Sequence, residues 1–448
     1  METTAHARTE PHPFLRRPHR TFLSLSLPVL LSLIAEPLTG AVDTAFVARL
    51  GAAPLAALGA AATLLSSVFW AFNFLGIGTR TEVAVATGEQ DRERAQSAAS
   101  LALALAAVIG VGVGVLLWLG TDAAARFMSA DPLVQGDLAI YLEIRLLGAP
   151  AVLLTLAGFG ALQGLQDMRT PLWIALTANL VNAALDPVLI FGWGPLPALG
   201  VAGAAWASTI GHWIAGLWVI AAVRSRLGLA ARVPWANAPG LFVVGRDLFL
   251  RTGLLTGFLL LATRTANQLG AEAGAAHQAA RQMWLLTAFL LDSYATTAQS
   301  LVAYFRSTAR AQEARRVAAI ACQWGVGSGL ALVAAMLLGE STVARLLVPP
   351  AAREVFSGAW LVLALAMPLN AVSFVTDGIH WGTRDYRYLR NVMFSASAGG
   401  TLLLLALPLQ GDAALTGVWL VTSLWITVRA LFGWLRIWPG IGSAPLAR

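Results

Sequence analysis

Apolar runs of about twenty residues recur along the whole chain, each closed by arginine, proline or glycine, and no stretch between them reads as a water-soluble domain. A helix crosses the hydrocarbon core of a bilayer in about 20 residues, so runs of this length predict membrane spans. They fall near 22–48, 55–80, 95–119, 133–164, 171–192, 199–223, 247–270, 276–303, 317–338, 355–382, 390–409 and 415–436. Charged residues make up 12% of the 448, half the share of about 25% typical of soluble domains. Backbone groups in lipid must bond within the chain, which leaves helices as the solution for such runs. The expected fold class is therefore an all-α polytopic membrane protein with twelve transmembrane helices. The first run follows Arg16, Arg17 and Arg20 but is too long for the apolar region of a signal peptide, and it reads as a retained span.

Arginine supplies all thirty basic residues, and its placement gives the orientation. With the N-terminus in the cytoplasm, twenty-one arginines fall on the cytoplasmic side and four (Arg49, Arg126, Arg345, Arg353) on the other, with five more in or near span interiors. Positive charge collects on the inner side of membrane proteins, so both termini are expected in the cytoplasm and the protein in the cell (inner) membrane. The same placement argues against nucleic acid as the reason for the net charge of +7. A single cysteine, Cys322, and six scattered histidines offer no disulfide and no thiolate or histidine metal site, and no cofactor is expected.

The halves resemble each other. GALQGLQDMR (160–169) matches GIHWGTRDYR (378–387) at Gly160/Gly378, Gly164/Gly382, Asp167/Asp385 and Arg169/Arg387, and LGAAPLAAL (50–58) matches LGAEAGAAH (269–277). The offsets, 218 and 219, point to a duplicated six-span unit whose copies keep one orientation, hence to two pseudo-symmetric six-helix bundles. The domain reading is a cytoplasmic tail at 1–21, an N-terminal lobe at 22–223, a cytoplasmic linker at 224–246, a C-terminal lobe at 247–437 and a tail at 438–448.

Ionisable residues within spans are costly and mark function by default. The first span reads SLIAEPLTGAVDTAFVARLG (32–51), with Glu36 and Asp43 on either side of Pro37. Pro37 removes a backbone donor to Leu33 and predicts a hinge there. In the fifth span, ANLVNAALDP (178–187) sets Asn179, Asn182 and Asp186 in one polar stripe, and the sixth adds Ser208, Thr209 and His212. Carboxylates with amide and hydroxyl oxygens form either a proton-binding site or a hard-cation site. The repeat partners of Asp43 and Asp186 are Ala262 and Leu404, so the acids belong to one lobe only. Paired with an intramembrane arginine such as Arg145, they would instead be structural. The second half carries Arg264, His277, Gln278, Arg281, Gln282, Asp292, Gln299 and Asp377 inside spans, where Asp292 and Asp377 are expected to neutralise Arg264 or Arg281.

PLTGAVDTAFVARLG (37–51), GALQGLQDMRTPL (160–172), GVAGAAWAST (200–209), LGAEAGAAHQAARQMW (269–284) and FVTDGIHWGTRDYRYLRN (374–391), in that order, resemble the multidrug and toxic compound extrusion (MATE) transporters, the DinF-like branch above all. The resemblance implies a V-shaped pair of bundles around a central cavity, working by alternating access. It also implies export of small cationic or amphipathic compounds in exchange for H⁺ or Na⁺. Carried over residue by residue, it places the coupling cation at Asp43, Asn182 and Asp186 with a sixth-span hydroxyl, Thr209 ahead of Ser208, and bending of the first span at Pro37. Na⁺ would use the same four residues. Asp377 resembles a tenth-span acid that contributes to coupling in another branch. Glu36 departs from the pattern and adds a titratable group. Organic cations and the lipid bilayer are the expected partners and a monomer the expected state. Twelve spans and N-lobe acids count against a flippase for lipid-linked or polysaccharide precursors. The absence of HExxH, GxSxG and intramembrane protease motifs counts against an enzyme.

Overall fold

The computed structural model describes residues 12–129, 131–408, 411, 413–442 and 444–446. Residues 1–11 of the expected N-terminal tail and 443, 447 and 448 of the C-terminal tail lie outside the described residues. The first half comprises α1 (Pro13–Arg16), α2 (Pro18–Val47), α3 (Ala52–Trp70), α4 (Phe74–Gly88), α5 (Arg92–Trp118), α6 (Thr121–Met128), α7 (Pro132–Leu146), α8 (Ala149–Gly164), α9 (Arg169–Phe191) and α10 (Val201–Arg226). The second comprises α11 (Ala238–Gln268), α12 (Ala271–Ser307), α13 (Ala311–Leu347), α14 (Arg353–Leu365), α15 (Met367–Gly382), α16 (Tyr386–Ala406) and α17 (Ala414–Ile437). The starts of α5 and α7 are capped locally: Asp91 and Asp131 accept from the amides of Arg94 and Leu133, as N-cap carboxylates do.

Eight helical stretches are long and apolar enough to cross a membrane. Two bent pairs, α7–α8 and α14–α15, broken at 49° and 48°, bring this to ten. The longer and more polar α11 and α12 complete twelve spans. α11 starts at Ala238, inside the segment expected as a linker, so Arg251, assigned from the sequence to the cytoplasmic side, lies well within this helix and is buried.

The duplication is written into the backbone. Gly51 and Gly270 hold matching extended caps at φ +125° and +120°, a conformation that favours glycine. Gln90 and Ala309 (60° and 55°), like Gln166 and Arg384 (both 62°), repeat at the same offset. Equivalent close approaches recur as well. A Cβ at Gly160 would strike the Gly76 carbonyl, and one at Gly378 would strike that of Ala295.

The lobes meet on the face that carries both chain ends, where Phe14 packs on Phe305 and Arg306 donates to the Pro445 carbonyl. Thr81 Oγ1 donates to the Trp381 carbonyl at 3.0 Å, and its repeat partner Ser300 donates to the Gln163 carbonyl at 2.7 Å. Arg80 binds Gln163 and Gln299, the latter its own repeat partner, while Gln299 Nε2 donates to Thr81 at 2.8 Å and to the Ile77 carbonyl at 2.8 Å. Two-fold related residues that bond to each other lie on the pseudo-symmetry axis, so α4 and α12 cross it here. Ser26 with Thr297 (3.0 Å) and Arg384 with Glu82 (2.6 Å) extend this polar seam.

Candidate functional site

α2, α7, α9 and α10 converge on a buried polar cluster in the N-terminal lobe. Asp43 is 7% exposed, Asn182 4% and Asp186 fully buried, all three within largely apolar helices. The i, i+4 spacing of Asn182 and Asp186 puts both on the side of α9 that faces α2 and α10. Asn182 Nδ2 donates to Ser208 Oγ at 3.1 Å, and Ser208 Oγ donates to Asp43 Oδ2 at 3.3 Å. A chain of hydrogen bonds thus joins α9, α10 and α2.

The two candidate sixth-span hydroxyls have different partners. Thr209 Oγ1 donates to the Ile144 carbonyl on α7 at 3.1 Å, a bond between helices, and Ser208 is the hydroxyl on the cluster. Neighbouring positions on a helix point 100° apart, so only one of the two can face the acids.

Asp43 and Asp186 act on each other electrostatically, and the oxygens left over define the chemistry. The two carboxyl groups lie within hydrogen-bonding reach of each other, a bond that needs a proton on one of them; apart from that contact, Asp43 Oδ1, Asn182 Oδ1 and both carboxylate oxygens of Asp186 are buried and receive no donor among the described residues. Leaving a buried acceptor unbonded costs about 1–3 kcal/mol, more when it is charged. Four such acceptors at one point, two carboxylates among them, suit a small cation or a proton. No cluster of three or more His, Cys, Asp and Glu side chains able to hold a metal occurs among the described residues, so a metal ion here would depend on the Asn182 amide and hydroxyl oxygens.

Arg145 bonds His212 Nδ1 at 2.7 Å. A guanidinium only donates, so Nδ1 accepts and this imidazole is neutral. Arg145 forms no salt bridge within the described residues, but Glu36, Asp43 and Tyr141 all lie within its electrostatic reach. The structural alternative, a direct Arg145–acid pair, is therefore not what is found. Tyr141, buried beside Asp43, Asp186 and Ser208, is a cluster member that the sequence reading missed. Its spacing of four from Arg145 was the available signal.

Glu36 projects on the same side of α2 as Asp43, two turns nearer the chain ends, and is exposed. α2 runs unbroken through Pro37 and through a second proline, Pro28. Around the expected hinge the helix is loosely surrounded: Pro37, Leu38 and Ala41 are exposed, and a Cβ on Gly40 would meet nothing within 4 Å.

In the other lobe, Asp377 pairs with neither Arg264 nor Arg281. It accepts from Arg251 and, at 2.9 Å, from Arg429. Those guanidinium groups stack over Trp381 and Trp425, 5.3 and 4.4 Å from the ring centroids. Arg251 escaped the sequence reading because its helix starts earlier than the apolar run suggests. Asp292 lies within electrostatic reach of Arg80, Arg251 and Asp377 without an ion pair among the described residues. Gln278 and Arg264 are exposed and Arg281 is half-buried.

A family model described as MatE matches residues 28–188. The chain is 30% identical to Protein DETOXIFICATION 44, chloroplastic, of Arabidopsis thaliana over 97% of this chain and 86% of that protein. It is 29% identical to DNA damage-inducible protein F of Escherichia coli (strain K12) over 95% and 94%. Among solved structures, the outward-facing conformation of a multidrug resistance MATE family transporter of the MOP superfamily superposes with a TM-score of 0.85 at 20% identity, covering 96% of this chain and 97% of that one. The fold, the repeat and this kinship agree, and the chain belongs to the MATE family of membrane transporters.

Proposed function

We propose that the protein is a secondary antiporter that exports small cationic or amphipathic compounds in exchange for H⁺ or Na⁺. The four buried oxygens of Asp43, Asn182 and Asp186 carry this reading. With H⁺ or Na⁺ bound, one of the two carboxylate charges is offset; once it leaves, two adjacent carboxylates repel in a low-dielectric site. That difference favours one arrangement of α2 over another, with Pro37 as the hinge and Glu36 as a relay toward the cleft. Residues 22–223 and 247–437 act as the moving lobes, in a monomer whose two ends face the cytoplasm. The orientation rests on the arginine distribution. Transport into proteoliposomes under separately imposed pH and Na⁺ gradients tests the exchange and identifies the ion. Substrate flux indifferent to both gradients would sink it.

The hydroxyl assignment makes its own prediction. Ser208→Ala removes the hydroxyl donor on Asp43 Oδ2 and should weaken the ion dependence of transport roughly ten-fold, the worth of one hydrogen bond to a charged group. Thr209→Val should leave that dependence within about two-fold and act on stability instead. The opposite ranking in ion titrations of transport would return the role to Thr209.

Export by alternating access also requires the polar seam on the terminal face to open. Arg80→Ala removes a side chain shared by Gln163 and Gln299. In a Cys322→Ser background, a cysteine replacing Ser307, which packs against Gly88 across the seam, should then react several-fold faster with a water-soluble thiol reagent. Unchanged labelling would show that Arg80 does not hold the seam.

A further inference from the structure

α12 turns one side toward the N-terminal lobe over its second half, where the lobes join. There Gln299 and Ser300 bond Arg80 and Gln163. Eighteen residues make five full helical turns, so Arg281 projects on the same side as Gln299 and Gln282 on the same side as Ser300. Steps of seven place Gln278 and Leu285 in that stripe as well. The outer positions are uncovered: Gln278, Gln282, Leu285 and Leu286 are exposed and Arg281 is half-buried. Their repeat partners on α3, 219 residues earlier, are Gly59, Thr63, Ser66, Ser67 and Ala62, and these are exposed too. Continued along straight helices, these two equivalent exposed sides would face each other beyond the seam as the walls of a cleft. One wall is small and uncharged; the other carries an arginine between two glutamines, with an apolar ledge below it.

Arg281 makes no hydrogen bond or ion pair among the described residues, and the carboxylates expected to neutralise it lie elsewhere: Asp377 is held by Arg251 and Arg429. A lone guanidinium at membrane depth is costly, and its planar fork of donors matches a carboxylate, sulfonate or phosphate. Leu285 and Leu286 sit about 6–8 Å along the helix from Arg281, at 1.5 Å per residue. The small residues opposite leave room for a bulky group above that ledge.

We propose that this wall of α12 is a substrate subsite for amphipathic compounds that carry an anionic group. The anion sits on Arg281 between Gln278 and Gln282, and the apolar body lies over Leu285 and Leu286. The proposal rests on the transporter reading and deepens it, since it adds anionic and zwitterionic amphiphiles to the cations that the opposite lobe attracts. The repeat points the same way, because duplication alone would have left Ala62 and Gly59 chemistry on both walls.

The test is equilibrium binding to the purified protein of two naphthalene probes, dansylglycine (a carboxylate) and dansylcadaverine (a cation). Dansylglycine should bind the unaltered protein, about ten-fold or more weaker after Arg281→Gln, with partial recovery in Arg281→Lys. Dansylcadaverine should change less than about two-fold, because its ammonium has no use for Arg281. No binding of dansylglycine to the unaltered protein, no effect of Arg281→Gln, or equal weakening of both probes would overturn the subsite. Gradient-driven transport of dansylcadaverine, measured alongside in proteoliposomes, separates the two readings. Its persistence in a protein that fails the dansylglycine test removes the subsite alone, and its absence removes the antiport reading instead.

Discussion

Replacing either Asp186 or Asp43 by asparagine is expected to abolish gradient-driven export, a loss of roughly 100-fold or more. A carboxylate in contact with a cation away from water is worth several kcal/mol, and each 1.4 kcal/mol is a factor of ten. Asparagine keeps the volume and one acceptor oxygen, so the helices should pack as before. Asp186, whose two oxygens receive no donor among the described residues other than a proton shared with Asp43, should tolerate the change well in stability, and the protein should remain a folded binder of substrate. Asp43 gives up an acceptor of the Ser208 hydroxyl at 3.3 Å and should lose slightly more. On the proposed coupling the two carboxylates act on one cation, so the double variant should be little worse than either single one, the non-additivity of residues that share a partner. Export that continues at near-normal rates in Asp43→Asn plus Asp186→Asn, still driven by the imposed gradient, would remove the coupling site from this cluster. A comparable loss in Glu36→Gln would raise that exposed residue from relay to ligand.

Much of this architecture can be read from the sequence, for a physical reason. Lipid leaves a chain few options, so apolar length, proline, glycine and arginine placement mark the spans closely. α11 and α12 are the least legible helices because each presents polar side chains to the cleft or the seam, diluting the apolar signal. The repeat was visible at an offset of 218–219, yet only coordinates show Arg80 bonded to its own counterpart Gln299, since symmetry axes leave no mark in a linear sequence. Within the site, Asp43, Asn182 and Asp186 were legible as polar residues in apolar helices. Ser208 against Thr209 was not, because a 100° rotation separates them and both suit the chemistry. Pairing was harder still. Which arginine neutralises Asp377 depends on how α11, α15 and α17 are rotated, and a sequence does not record rotation.

Asp377 is where the second large effect is expected, and it is of another kind. Two buried arginines, Arg251 at 7% and Arg429 at 5% exposure, converge on one carboxylate oxygen, joining α11 and α17 through α15. Asp377→Ala leaves both buried guanidinium groups without their ion-pair partner, with only the more distant Asp292 carboxylate near Arg251, and removing one partner of a buried pair costs about 3–5 kcal/mol. The purified variant should therefore melt markedly earlier than the unaltered protein, and little of it should survive extraction. The cost comes from the stranded charge rather than from the lost contact. A second change that removes one cation, Arg429→Met, should therefore recover part of the stability in the Asp377→Ala background. Transport by the surviving folded fraction should keep its ion dependence, because the proposed cation site lies in the other lobe. A variant that melts normally yet no longer responds to the gradient would reverse this assignment, making Asp377 a coupling acid and its two arginines the groups that release it.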